Sequence, residues 1–337
     1  MRIAIDAFGG DHAPEEIVLG AQQAAQEYAQ TKIILVGDEA KLSKLLQMKG
    51  APSNLFIKHA SDVIATDEEP VRAVRRKQDA SMVVAAKMVR NGEADAIISA
   101  GNTGALMTAG LLIVGRLQGI ERPALAPMIP TMNGKGVLAL DLGANMDATA
   151  EQLLQYAVMG SIYRNKVDQM SQPRVGLLNV GAERSKGNEM TKKAYQLLET
   201  APIQFVGNVE AREILNGVCD VLVCDGFVGN IMLKSLEGTA TTIFAALKEQ
   251  FSQSFITKLA GMMVRPGLRR FRKKMDYKEI GAAPMLGLSG VVMKCHGSSD
   301  ARAIKNAVRQ TNLALAAGLV DTIKAELGKG ESSDAND

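Results

Sequence analysis

The sequence predicts an α/β fold, a mostly parallel sheet covered by helices, on three observations. Short aliphatic and β-branched runs alternate with helix-length amphipathic segments, the pattern of repeated strand–helix–strand units. Five strand ends carry glycine together with Asn or Asp just before a helix begins. The segment holding Pro123, Pro127 and Pro130 falls between such units, and proline, which cannot donate to a sheet ladder, belongs at an edge. A length of 337 residues allows two typical domains or one large sheet. With 47% hydrophobic and 22% charged residues the chain has a globular composition, which disfavours disordered and fibrous classes.

Arg2–Asp6 reads as the first strand and ends in Ala7-Phe-Gly-Gly-Asp-His-Ala-Pro14. Pro14 suits a first helical position, and Glu15 and Glu16 complement the positive end of a helix running to about Gln30. Lys32–Val36 and Leu55–Lys58 are further strands with a helix over 41–49 between them. After Asp67-Glu-Glu-Pro70, a helix over 77–91 leads into a strand that ends at Ser99. The stretch Ser99-Ala-Gly-Asn-Thr-Gly-Ala-Leu106 joins that strand to a helix whose Leu106, Ala109, Gly110, Ile113 and Val114 recur at helical spacing. Residues 96–115 carry no charge and have the length of a membrane span, about 20 residues. Four glycines with Ser99, Asn102, Thr103 and Thr108 make strand, loop and buried helix the better reading.

Val137–Asp141, Arg174–Asn179 and Cys219–Cys224 repeat the device, each strand leading through a polar loop into a helix. Residues 283–295 read as two short strands, and His296-Gly-Ser-Ser-Asp300 caps a helix expected over 301–327. The small polar residues 329–337 are expected to form a disordered tail.

Glycine turns remove the Cβ atoms that would block a ligand, and the unpaired N–H groups of a helix start attract negative charge. Ligands of open α/β sheets bind beyond the carboxyl ends of the strands, so these polar ends point to one composite anion site. The same glycines also suit tight connections between strand and helix. Cys219, Cys224 and Cys295 are odd in number and lack metal spacing with any histidine, as reduced core thiols do. Neither a Gly-x-Gly-x-x-Gly fingerprint nor a clustered set of aspartates is evident, so no cofactor and no metal are expected. The N-terminus lacks a secretory pattern, which predicts a cytoplasmic location.

Residues 251–275 break the pattern. Phe255, Leu259 and Met262 share one helical stripe, Ile256, Ala260 and Met263 its neighbour, and Pro266-Gly267 is expected to interrupt the segment. Residues 258–275 hold seven bases, Arg265 and Arg269 among them, and no acid, which leaves 32 bases against 36 acids elsewhere. An apolar face beside a basic cluster suits an anionic membrane surface or an acidic protein partner. A dimer interface with solvated charges is the alternative. Nucleic acid is disfavoured because the cluster is short, the remaining chain is net acidic, and Trp is absent.

Six stretches in order carry a resemblance to a known family: Asp6-Ala-Phe-Gly-Gly-Asp-His-Ala-Pro14, Ser99-Ala-Gly-Asn-Thr-Gly-Ala105, Asp141-Leu-Gly-Ala-Asn145, Leu178-Asn-Val-Gly-Ala-Glu-Arg-Ser-Lys-Gly-Asn188, Asp225-Gly-Phe-Val-Gly-Asn230 and His296-Gly-Ser-Ser-Asp300. Over nearly its whole length the chain resembles the bacterial phosphate acyltransferases of phospholipid synthesis, with Phe8 where that family more often has Met. The resemblance implies transfer of a long-chain acyl group from acyl carrier protein to inorganic phosphate. A membrane glycerol-3-phosphate acyltransferase would consume the product. It also implies a homodimer and a three-layer α/β/α fold with a mixed, mostly parallel sheet, like the isocitrate/isopropylmalate dehydrogenases and phosphotransacetylases. Residues 1–328 would then form one catalytic domain of two intertwined subdomains, with 251–275 projecting as a helical segment that sits on a membrane. A short-chain phosphotransacetylase acting on acyl-coenzyme A and a non-catalytic anion-binding membrane scaffold are the competing readings. The 251–275 segment favours the long-chain enzyme over the first, and the polar strand ends count against the second.

Phosphate is already anionic at neutral pH and can attack a thioester without a protein nucleophile. The reaction needs a cation to hold phosphate and donors for the tetrahedral oxyanion. Lys186, in a glycine-flanked loop, is the candidate cation, and Asn230, at a helix start, the candidate oxyanion donor. The resemblance places both in the active site. Asn102 and Thr103 would contact phosphate, with Gly9, Gly10, Asp11, Gly101, Gly104 and Gly229 shaping the binding loops. Asn145, Asn188 and Asp225 would orient the reacting groups. His12 and His296 are candidate proton donors to the departing thiol, since imidazole titrates near neutrality, and each equally suits a structural cap. Phe255, Ile256, Leu259, Met262, Met263, Arg265 and Arg269 are the candidate membrane or partner contacts.

Overall fold

The computed structural model describes residues 1–49, 51–274 and 281–331. The chain begins with β1 (Arg2–Asp6), α1 (Glu15–Glu27), β2 (Lys32–Gly37), α2 (Glu39–Lys49) and β3 (Leu55–His59). Then come α3 (Pro70–Arg76), α4 (Ser81–Arg90), β4 (Ala96–Ser99) and α5 (Thr103–Ala109), which a π-type turn over Gly110–Val114 extends. Helix α3 lies in a stretch to which the sequence reading assigns no element. The Glu69 carboxylate accepts the Val71 and Arg72 N–H groups, and Pro70 occupies the first turn, so a full capping arrangement starts a helix there. The helix expected over 77–91 accordingly begins only at Ser81.

The middle of the chain forms β5 (Ala124–Leu125), β6 (Met128–Ile129), β7 (Val137–Leu140), α6 (Ala150–Lys166), β8 (Arg174–Asn179) and α7 (Glu189–Thr200). It continues through β9 (Gln204–Glu210), a half-exposed strand that its polar residues conceal in the sequence, and β10 (Val221–Val223) to α8 (Gly226–Gln250) and α9 (Phe255–Lys274). Closing elements are β11 (Ala282–Leu286), β12 (Val291–Cys295), α10 (Ala301–Ala316) and α11 (Leu319–Glu331). The single helix expected over 301–327 is broken at Gly318, whose φ of +59° is left-handed backbone that glycine adopts freely. Residues 329–331, expected in a disordered tail, continue α11, and 332–337 lie outside the described residues.

Pairing divides the mixed, mostly parallel strands between a seven-stranded sheet, β3-β2-β1-β4-β12-β11-β5, and a five-stranded sheet, β6-β7-β10-β8-β9. Among the named strands of the described residues, the pairs made by β11 and the β6–β7 pair are antiparallel and the others parallel. The proline segment behaves as expected: β5 and β6 are two-residue edge strands, one on each sheet. Alternate strand residues feed opposite layers. Ile3, Ile5 and Ile98 pack with α1 and α10, whereas Ala4 and Ile97 pack with α4 and α5. In the second sheet Leu138, Leu140, Val221 and Val223 join α6, and Val137, Ala139 and Leu222 face Met232 of α8. Strands buried on both faces explain the near-continuous apolar runs of the sequence.

Helix α9 runs through Pro266 instead of stopping at it. Proline removes one helical hydrogen bond, to the Met262 carbonyl, and on this exposed helix water can take the vacant position. The helix lies back along α8, with Phe244 and Phe271 ring centroids 6.2 Å apart. Met275, the last residue of the basic segment, lies outside the described residues. Among the described residues no helix is long and apolar enough to cross a membrane.

Candidate active site

Each sheet ends in a triplet of loops. Strands β1, β4 and β12 are adjacent and parallel, as are β7, β10 and β8. Every catalytic or phosphate-site candidate of the sequence sits on one of the six loops beyond their carboxyl ends or in the helix turns that follow, and the seven candidate membrane or partner contacts lie apart from them on α9. Strands β2 and β4 flank β1 on opposite sides, the strand-order reversal that opens a binding crevice in such sheets.

In the first triplet the organiser is Asp6, buried at the end of β1. Its carboxylate accepts Ser81 Oγ at 2.6 Å, Ser99 Oγ at 2.7 Å and the Phe8 N–H. Burial pushes its pKa up, and these donors hold it down. Gly9 must be glycine: an added Cβ would lie against Asp6 Oδ2 and 2.7 Å from the Gly101 nitrogen, so the loops after β1 and β4 touch backbone to backbone. We expect Gly9→Ala to separate these loops, weakening phosphate binding by ~10-fold or more with a loss of stability of ~1–3 kcal/mol. Phosphate titration calorimetry and chemical denaturation check both effects. The Asp11 N–H donates to Gly297 O at 2.8 Å, tying in the loop after β12.

Asn102 is the N-cap of α5. Its Oδ1 accepts the Ala105 N–H, and its Nδ2 donates to the Thr66 and Glu68 carbonyls, so both ends of the amide serve the fold. Thr103 is half-buried at the first turn and its hydroxyl makes no hydrogen bond among the described residues. His12 is exposed. His296 accepts the Ser298 N–H at Nδ1, which in the neutral ring places the proton on Nε2. Burial lowers the His296 pKa, with Glu237 of α8 and Asp11 opposing and Lys294 and Lys234 of α8 assisting.

Asp141, at the end of β7, organises the second triplet. Its carboxylate accepts the Leu125, Ala144 and Asn145 N–H groups and Asn145 Nδ2. Asn145 Nδ2 also donates to Pro123 O, and its carbonyl accepts the Gly226 N–H, which seats the start of α8. Asp225 caps α8 through the Phe227 and Val228 N–H groups, and a Cβ on Gly229 would strike the Asp141 carbonyl. Asn188 caps α7 through Thr191. Because Asp141→Ala strands several buried donors at ~1–3 kcal/mol each, we expect it to destabilise by about 3–5 kcal/mol in urea unfolding. A loss below about 1 kcal/mol would show that the loop is held otherwise.

The sequence candidates thus separate. Asn102, Asn145, Asn188 and Asp225 commit their side chains to caps and loop ties. Lys186 is exposed on the β8 loop and no carboxylate pairs with it among the described residues. Asn230 is half-buried in the first turns of α8, its amide without a hydrogen bond among the described residues and next to Gly143 of the β7 loop. These two side chains are the ones left for a ligand on the second triplet. Burial pushes the Cys219 and Cys295 thiols up to about 12 and Cys224 well above its ordinary value, so none is a thiolate nucleophile at neutral pH. Among the described residues no group of His, Cys, Asp or Glu could hold a metal. Sequence reasoning passed over Ser81, Lys294 and the buried organisers Asp6 and Asp141. The available signal was an aspartate or lysine ending an otherwise apolar strand.

The α/β fold with its mixed, mostly parallel strands is shared with solved structures of low sequence identity. It is shared with a phosphotransacetylase from Streptococcus pyogenes at TM-score 0.63 and 17% identity, covering 95% of this chain and 94% of that one. It is also shared with a 4-hydroxythreonine-4-phosphate dehydrogenase from Burkholderia phymatum at TM-score 0.51 and 15% identity, covering 93% and 97%. Residues 1–321 match the family model described as fatty acid synthesis protein. The phosphate acyltransferase of Brevibacillus brevis is 58% identical over 308 residues, covering 91% of this chain and 92% of that one; that of Bacillus cereus is 54% identical over 329 residues, covering 98% and 99%. The chain belongs to the bacterial phosphate acyltransferase family and is an acyltransferase.

Proposed function

We propose that the protein transfers a long-chain acyl group from the thioester of acyl carrier protein to inorganic phosphate, yielding acyl phosphate for phospholipid synthesis. The observation that carries this reading is the pair of uncommitted side chains, Lys186 and Asn230, on adjoining loops of one strand triplet. Lys186 holds the phosphate dianion. A phosphate oxygen attacks the thioester carbon, forming a C–O bond, and the oxyanion is stabilised by Asn230 Nδ2 and the first N–H groups of α8. His296 or His12 takes the proton that hydrogen phosphate releases on attack and, as imidazolium, gives it to the thiolate as collapse breaks the C–S bond, so the reaction balances as acyl phosphate and free thiol. Asp11, Thr103, Gly10, Gly101 and Gly104 line the phosphate side.

Matched acyl chains presented on carrier protein and on coenzyme A test the donor. Faster turnover with carrier protein is expected; equal rates would favour the phosphotransacetylase reading.

The exposed α9 stripe supports peripheral attachment of a cytoplasmic enzyme to an anionic membrane, near a membrane acyltransferase that consumes the product. Phe255, Ile256 and Met263 are each more than 75% exposed, and Arg265 and Arg269 lie on the same exposed helix. Exposed Ile231, Ile243 and Leu247 on α8 support burial against a second copy in a homodimer. Leu259→Glu with Met263→Glu is expected to abolish co-sedimentation with anionic liposomes while acyl-phosphate formation persists. Retained binding would return the stripe to the dimer interface.

A further inference from the structure

Lys294 ends β12 beside β4, in register with Ser99, and is buried. Its ammonium donates to Ala100 O at 3.3 Å and to Cys295 O at 2.5 Å and makes no ion pair among the described residues. On the other side of the Ala100–Gly101 peptide, the Gly101 N–H donates to Ser99 Oγ at 3.0 Å, and Ser99 Oγ donates to Asp6. One peptide unit, two residues ahead of the start of α5, is therefore gripped at its carbonyl by a cation and at its N–H by a hydroxyl.

We propose that Lys294 is a positioning residue for phosphate: it fixes the Ala100–Gly101 peptide and so aims the first turn of α5, and it places a positive charge behind the loops of the first triplet. The inference rests on the acyl-transfer reading above, since it assigns phosphate to this side of the site. A buried ammonium with backbone carbonyls as its partners is a costly way to hold a loop, because desolvation of the charge exceeds what neutral hydrogen bonds return. A charge so placed is explained when an anion binds in front of it, where the low dielectric makes the attraction strong. Burial lowers the Lys294 pKa, while Cys295, Asp6 and Asp11 act to raise it. Asp6, at the end of β1, and Asp11, on the loop that follows, favour the charged form without contacting the ammonium.

Two variants separate charge from hydrogen bonding. Lys294→Met removes both, and Lys294→Gln keeps an amide donor for the Ala100 carbonyl while removing the charge. Inorganic phosphate binding is measured by calorimetry on the full-length protein, alongside the Michaelis constants for phosphate and acyl thioester and the thermal midpoint. The expected result is a phosphate Kd raised by ~10-fold or more in Lys294→Met, partial recovery in Lys294→Gln, and a thioester KM within about twofold of wild type. Phosphate affinity within about twofold of wild type in either folded variant overturns the proposal, as does an equal rise in both KM values, which marks general damage. If Lys294→Met fails to fold, Lys294→Gln decides by the same criteria. Wild-type protein that binds phosphate yet forms no acyl phosphate would count against the acyl-transfer reading and leave the binding comparison valid.

Discussion

Lys186→Ala is expected to lower acyl-phosphate formation by at least about 10³-fold while leaving the thermal unfolding curve nearly unchanged. The first half follows from charge. Phosphate brings one to two negative charges to the site, and the transition state spreads more onto the carbonyl oxygen. Lys186 is exposed on the second triplet, in a loop shaped by Gly187 at φ +96°, and unlike its exposed neighbour Arg184, which pairs with Glu199, it has no carboxylate partner among the described residues. Lys294 is buried behind the first triplet, with its ammonium on the Ala100 and Cys295 carbonyls. The second half follows from exposure, because a surface side chain without partners changes stability by no more than about 0.5 kcal/mol. Lys186→Arg should recover part of the activity, since the charge returns on a planar group of different reach. Activity of Lys186→Ala within about threefold of wild type would remove the residue from the phosphate site.

Asn230→Ala is expected to lower kcat by ~10²–10³-fold with little change in the apparent affinity for phosphate. A donor aimed at an oxyanion acts chiefly after the carbonyl oxygen has become charged, so its loss appears in turnover. The position is suited to this role: Asp225 caps the helix, Gly226 is tied to Asn145, and the Asn230 amide lies beside Gly143 of the β7 loop. Asn230→Asp, which sets a carboxylate where negative charge develops, should be slower still. An effect confined to phosphate affinity would instead make Asn230 a ground-state binder.

Much of this arrangement was legible in the sequence. The apolar runs ending at Asp6, Ser99 and Asp141 announced central strands, and glycine beside Asn or Asp announced the loops, because a strand buried on both faces and a close backbone approach leave few residue choices. The likeness to dehydrogenases and phosphotransacetylases also holds in the fold. Helix α3 was hidden because its stop and start signals depend on a Glu69 side chain turning back on its own backbone. The break at Gly318 was hidden because a glycine in an amphipathic pattern reads equally well as helix interior. Within the site, residue type alone could not separate asparagines that cap helices from those that face a ligand. Asn102 and Asn230 both sit at helix starts after glycine, yet only tertiary contacts show the Asn102 amide committed at both ends and the Asn230 amide open. Lys294 was invisible for a related reason: its significance depends on β12 inserting beside β4, a pairing between residues nearly two hundred positions apart.

The central claim is that phosphate itself attacks the thioester, with no covalent acyl-enzyme. The most direct measurement is intact-protein mass spectrometry of the purified enzyme held with acyl carrier protein thioester, first without phosphate and then with it. Before phosphate is added, the polypeptide should keep its unmodified mass and the thioester should persist. After addition, carrier thiol and acyl phosphate should appear in equal amounts, with no metal or nucleotide supplied. An acyl adduct on the polypeptide before phosphate arrives, above all one that phosphate then discharges, would contradict direct attack and require a nucleophile that the buried cysteines do not provide.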